Sequence, residues 1–260
     1  MNISDTNTVR DLAAGIPGAT RVFENFGIDY CCGGQRTLAD ACQIANRSVE
    51  DLLRSLEEAE RASQSGGDER DWRREPLTEL AEYIVDSHHS FTRQETDRLE
   101  KLFDKVCSRH GEKHPELFEA QRTFSHLRQD LIPHMLKEEQ ALFPYIARME
   151  EAVSERRAVP PPFFGTVRNP VRMMMMEHDT AGDLLKQLRN ATNGYTAPPD
   201  GCPSFQTLYQ SLAAFEADLH QHIHLENNIL FPRAVEMEEA SAPDLNKSAA
   251  EFNEHSCFGH

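Results

Sequence analysis

The residues best placed to do chemistry stand in two matching stretches, HMLKEEQALFP at 134–144 and HIHLENNILFP at 222–232. In each, a histidine is followed four residues later by a glutamate, then by Leu-Phe-Pro at offsets eight, nine and ten. On a helix, residues four apart project from one face about 6 Å from each other, so His134 with Glu138 and His222 with Glu226 can each reach one metal centre. Both pairs fall within otherwise apolar stripes. A glutamate buried there without a partner is stripped of water at high cost, and a bound metal removes that cost. Imidazole and carboxylate donors suit non-haem iron with open positions better than the thiolate-rich surroundings of structural zinc, although zinc and manganese accept the same ligand types. One His-x-x-x-Glu on a helix is ordinarily a surface pair. Two copies at matching offsets, with further histidines in phase, form a ligand set.

The elements that must carry these side chains are helices. Val, Ile, Tyr and Thr never gather into alternating runs, whereas apolar residues recur at three- and four-residue steps, so the expected fold is all-α. Periodic patterns run over 77–108, 115–149, 167–193 and 203–239, divided by HGEKHP, AVPPPFFG and NGYTAPPDGCP, which makes an up-down four-helix bundle. Each apolar stripe contains a histidine: His88 with Ile84 and Phe91, His134 with Leu127 and Leu131, His178 with Met174 and Ala181, His222 with Phe215 and Leu219. His88 is preferred to its neighbour His89 by phase, because adjacent residues of an α-helix point about 100° apart. The spacing is regular: 46 residues separate His88 from His134, 44 separate His178 from His222, and 88 separate the two His-Glu pairs. Two hairpins related by a pseudo-twofold axis would place two metals symmetrically, bridged by shared carboxylates. Ferritin-like bundles instead favour Glu-x-x-His, with the order reversed. After each pair, Leu and Phe are expected to pack the end of the bundle and proline to end or kink the helix.

Ahead of the bundle, residues 1–62 read as a small helical domain, with a polar linker over 63–75 that contains SQSGGDERD. From 240 to 260 periodicity is lost, and a disordered tail is expected there, although His255, Cys257 and His260 are metal donors. With 27 Lys+Arg against 43 Asp+Glu, the formal charge of -16 repels phosphate backbones and anionic membrane surfaces, which argues against nucleic acid and membrane partners. There is no basic leader followed by an apolar stretch and no run of about 18 apolar residues, so a soluble cytoplasmic protein is expected. The six cysteines are scattered rather than densely spaced, and free thiols are the expectation.

Cys31 and Cys32 are followed by Gly33-Gly34 and by Thr37, an N-cap with Asp40 three residues on. Thiols near a helix start tend toward thiolate, which fits a redox, nitrosyl or iron-delivery role; the plainer reading packs one cysteine in a core and gives the glycines to a turn. Asp130, one turn before His134, and Glu177, immediately before His178, are placed to support the ligands or line an iron exit. The Met173–Met176 run covers all faces of a helix, so Met174 is expected in the core and the others outside. His110, His114, His126, His220 and His224 are read as ordinary surface or supporting histidines.

With these residues in view, the chain resembles the iron-sulfur cluster repair di-iron proteins, the Ric family also called YtfE or ScdA. The marks of the likeness are DYCCGG at 29–34, HMLKEE from 134, MEHDTAG at 176–182 and HIHLENNILFPRA from 222. The resemblance implies a hemerythrin-like bundle holding two Fe ions, with His88, His134, His178 and His222 as ligating histidines and Glu138 and Glu226 as bridging glutamates. It further implies a role in restoring clusters damaged by nitric oxide or oxidants, through iron given up from a labile centre, with the damaged iron-sulfur proteins as partners. Two rival readings share the donor set: a hemerythrin-like carrier or sensor of O2 or NO, and a di-iron NO-reducing oxidoreductase. A typical oxygen carrier of that fold uses five histidines, whereas these stripes supply four.

Overall fold

The computed structural model describes residues 3–64 and 70–241, and among them all regular structure beyond one isolated bridge between Thr8 and Thr37 is helical. The tail over 242–260 and the stretch 65–69 lie outside the described residues. The amino-terminal region holds α1 (Val9–Gly15), α2 (Ala19–Phe26), α3 (Leu38–Ala45) and α4 (Val49–Gln64). Thr8 and Thr37 cap α1 and α3, each hydroxyl accepting the N–H of the residue three positions on, Asp11 at 3.1 Å and Asp40 at 3.2 Å. These short helices close around Val9, Leu12, Phe23, Leu38, Leu52 and Leu56.

Four long helices follow, three of them interrupted. The first runs Leu77–Tyr83, Ile84–His89 and Ser90–His110; the second Glu116–Lys137, Glu138–Leu142 and Phe143–Ser154. The third, Arg168–Ala191, is continuous, and the fourth runs Pro203–Leu225, Glu226–Leu230 and Phe231–Ser241. The middle segments are π-helical, closed by i→i+5 bonds, so each turn holds one residue more than an α turn. In the second and fourth helices the cause is written in Leu-Phe-Pro. Pro144 and Pro232 lack an N–H and crowd the carbonyl four residues back, and the wider turn before them accommodates this, so neither proline ends its helix. The π segment of the first helix has no proline behind it.

The 88-residue repeat reaches past the His-Glu pairs. Glu150 accepts the N–H groups of Leu77 at 2.7 Å and Thr78 at 2.9 Å, capping the first helix. Glu238, 88 residues on, accepts the N–H of Val167 at 2.9 Å and the Thr166 hydroxyl, capping the third. Along every bundle helix the buried side chains change from one apolar cluster to another across a polar layer. Leu99, Phe103, Leu131, Ala181 and Leu219 belong to one cluster, and Ile84, Leu142, Met174 and Ile229 to the other. Each fully buried apolar side chain contributes about 1.5–3 kcal/mol, and these clusters offset the cost of the polar layer between them. Met174 is 3% exposed, while Met173, Met175 and Met176 are exposed, as the spread of that run around the helix requires. No described helix is long and apolar enough to cross a membrane.

Candidate metal centre

The polar layer gathers six side chains from all four bundle helices. His89, Glu138, His222 and Glu226 offer one ligand atom each within 4.8 Å of one another, and so do His134, Glu138, His178 and Glu226. All six are buried. The two groups share both glutamates. On one side His222 Nε2 is 3.0 Å from Glu226 Oε1, and His89 Nε2 is 3.5 Å from Glu138 Oε2. On the other, His134 Nε2 is 3.3 Å from Glu138 Oε1, and His178 Nε2 is 3.1 Å from Glu226 Oε2. Between helices, the Nε2 atoms of His89 and His222 stand 3.1 Å apart, and those of His134 and His178 stand 3.0 Å apart.

The other ring nitrogen is engaged in three of the four. His89 Nδ1 donates to Glu139 at 2.7 Å, and Arg93 grips the same carboxylate at 2.7 Å. His134 Nδ1 donates to Glu177 at 2.8 Å, itself paired with Lys137. His178 Nδ1 donates to Asn227 Oδ1 at 2.8 Å, and His222 Nδ1 is buried without a partner. These bonds aim Nε2 inward, where it holds either a proton or a metal.

Two tests of fit agree. Both oxygens of Glu138 and Oε2 of Glu226 are buried without a well-directed hydrogen bond and face imidazole nitrogens at 3.1–3.5 Å, a costly state that a cation relieves. Burial works to lower the His89 imidazole, yet Glu138 and Glu226 reverse it and carry its pKa up to about 10; His134 is carried up to about 9 by the same carboxylates. Burial and the Glu226 charge push Glu138 upward, but His134 and His89 more than offset them and hold it below its ordinary value. The carboxylates draw positive charge into this layer, and a metal entering it displaces the protons on the imidazoles. Each group of nitrogen and oxygen donors therefore fits a metal ion.

His88, expected among the ligands, lies outside both groups. It stacks on His222, with ring centroids 5.8 Å apart and planes at 10°, and its Nδ1 donates to Asp218 at 3.0 Å. The reason is the π turn over Ile84–His89: the extra residue shifts the phase by one position, and His89 faces the layer where an α-helical count puts His88. Asp130 is solvent-exposed and takes no part in either donor group. Glu177 does stand behind His134. Glu139, Asn227 and Asp218 escape sequence reading because their partners lie on other helices, beyond any local spacing.

The Cys31-Cys32 loop lies against this layer. Asp29 Oδ1 accepts the N–H groups of Cys32 at 2.9 Å and Gly33 at 3.0 Å, and the two thiols are 3.8 Å apart. Cys32 Sγ approaches the His178 carbonyl at 3.8 Å. Both glycines are required by contact: a Cβ at Gly33 would meet the Asp29 carbonyl at 2.8 Å, and one at Gly34 would meet Asn228 Oδ1 at 2.9 Å. The thiolate expectation fails for Cys31. Its hydrogen bond with Cys32, its burial and the Asp29 charge all push the thiol up, and α3 begins only at Leu38, past the reach of its first turn. Asp29, Cys31 and Cys32 nevertheless form a third group of donor atoms within 4.8 Å of one another.

Residues 81–234 match the hemerythrin HHE cation binding domain, and residues 5–60 match ScdA_N, a domain of unknown function. The iron-sulfur cluster repair protein YtfE of Musicola paradisiaca is 37% identical over 227 residues, covering 86% of this chain and 94% of the relative. Its counterparts in Citrobacter koseri and in Escherichia coli O17:K52:H18 are 36% and 35% identical over 225 residues, with the same coverage of both chains.

Proposed function

The chain belongs to the family of iron-sulfur cluster repair proteins of the YtfE type, and on that membership we propose that it restores clusters damaged by nitrosative or oxidative stress by giving up iron held in its His-Glu layer. The observation that carries the reading is the pair of four-donor groups sharing Glu138 and Glu226. They would provide for about two irons per chain, with His89 and His222 in one group, His134 and His178 in the other, and Glu138 and Glu226 available to both. Bound iron is here the cargo, the metal that a broken cluster lacks. The chain's residues hold it: Glu139, Glu177 and Asn227 orient three imidazoles, while His222 has no such support. Four imidazoles over two irons leave more open positions than a five-histidine carrier and favour release. Cys31 and Cys32, beside His178, are the thiols on the delivery path.

Its partners are proteins whose iron-sulfur clusters have been damaged. We place it in the cytoplasm on its five described cysteines, all free, which suit a reducing compartment. We divide it into a small domain over 1–62, a linker over 63–75 and the iron-holding bundle over 76–239.

The test is anaerobic purification with metal analysis, followed by mixing with a cluster-depleted hydratase and a sulfide source. Iron-loaded protein is expected to restore hydratase activity. The Cys31→Ser/Cys32→Ser protein is expected to keep its iron and deliver it about tenfold more slowly, the scale of loss when a group beside a metal ligand is removed. Unchanged delivery by that variant returns the thiols to a structural role. Reversible O2 binding with full iron retention and no transfer would replace donation by a carrier function, and NO turnover with the metal intact would replace it by an oxidoreductase.

A further inference from the structure

The supports behind the imidazoles differ in where they are anchored. Glu139 and Glu177 are held by Arg93 and Lys137, both on bundle helices, so His89 and His134 keep their orientation whatever the amino-terminal region does. Asn227 is different. Its Oδ1 accepts from His178 Nδ1 at 2.8 Å while its Nδ2 donates to the carbonyl of Cys31 at 3.3 Å, across 196 residues of chain. A carbonyl can only accept, so the Cys31 oxygen decides which end of the amide faces the ring. That choice puts the proton on His178 Nδ1 and leaves the Nε2 lone pair facing Glu226. Asn228 supplies a second anchor, donating to the Tyr30 carbonyl at 3.0 Å, but its amide does not touch His178.

We propose that Asn227 is a positioning residue that couples docking of the Cys31-Cys32 loop to metal holding at His178. The inference rests on the reading of His178 as an iron ligand. With the loop docked, the amide is fixed at both ends and His178 presents the correct nitrogen. With the loop displaced, Nδ2 loses its acceptor, the amide is free to turn, and His178 loses the support that selects its tautomer. Coupling of this kind is reciprocal: iron on His178 tightens the loop to the extent that the docked loop tightens iron. A client that draws the cysteines away would thereby loosen the iron nearest to them.

The experiment uses the full chain, in iron-loaded and iron-stripped forms, with iron measured in each sample. Iodoacetamide labelling of Cys31 and Cys32 is followed by peptide mass spectrometry. Iron-loaded protein is expected to be labelled about fivefold more slowly than stripped protein, the low end of ordinary site-to-site coupling. Asn227→Asp still accepts from His178 Nδ1 but cannot donate to the Cys31 carbonyl, so it should hold iron and lose the fivefold difference. Asn228→Ala should speed labelling in both forms and keep their ratio. A measurement without substitution runs in the other direction: protein alkylated at Cys32 and then loaded should lose iron to a chelator about fivefold faster than unmodified protein. Protection that survives in Asn227→Asp, or an iron-loaded wild type labelled as fast as the stripped one, overturns the coupling. A wild type that retains no iron overturns the ligand reading itself, and the metal analysis tells the two failures apart.

Discussion

Replacing Glu138 and Glu226 together by alanine should leave a folded bundle that has lost nearly all of its iron, from about two per chain in the wild type. Each glutamate belongs to both donor groups, so the double change removes two of the four donors on each side and every shared one. Removal of a group merely behind a ligand weakens metal binding by about 10- to 100-fold, and losing the ligands themselves must cost more. The same change should not unfold the metal-free protein. Both carboxylates are buried and raise the pKa of His89 and His134; with both gone, these imidazoles lose that support and become neutral, so no charge is left buried alone. Glu138→Gln/Glu226→Gln, which keeps the volume, separates loss of charge from the cavity. The checks are metal analysis after anaerobic loading and far-ultraviolet circular dichroism. Two irons retained in a folded double variant would sink the assignment.

Adjacent histidines in the first bundle helix should behave in opposite ways. His89→Ala removes the nitrogen that faces Glu138 and Glu226 and should reduce the iron content by about half, or weaken that position by about 100-fold. His88→Ala should keep both irons. Its cost falls on stability, about 1–3 kcal/mol, because Asp218 loses its hydrogen-bond partner and the His222 ring loses the face it stacks on. Metal titration and urea denaturation of the two variants side by side resolve this. Iron loss in His88→Ala with retention in His89→Ala would restore the α-helical phase and contradict the π turn.

These two residues also mark where sequence reading stops. The His-x-x-x-Glu pairs were legible because an i, i+4 relation is local, and the four helices were legible because each buries one long stripe. The π turns that begin at Glu138 and Glu226 each end two residues before a proline, Pro144 and Pro232. The one over Ile84–His89 carries no such mark, so counting in α-helical phase selects His88, whereas the structure puts His89 in the donor group. Supports such as Glu139, 50 residues from His89, and Asn227, 49 from His178, depend on how helices pack, and no spacing rule reaches them. The cysteines were visible as a pair, but Cys31's raised pKa comes from burial beside Cys32 and Asp29, which only the docked loop creates.

Iron donation requires that iron bound at Glu138 and Glu226 be the iron that ends in a repaired cluster. Protein loaded with isotopically labelled iron, freed of excess metal and mixed with a nitric-oxide-damaged hydratase and sulfide in unlabelled buffer, answers this by isotope-resolved mass spectrometry of the recovered client. Donation predicts labelled iron in the rebuilt cluster, a matching loss from the His-Glu layer, and no labelled cluster when the iron-free Glu138→Ala/Glu226→Ala protein is supplied instead. A client restored with unlabelled iron, while the label stays in the bundle, would contradict it.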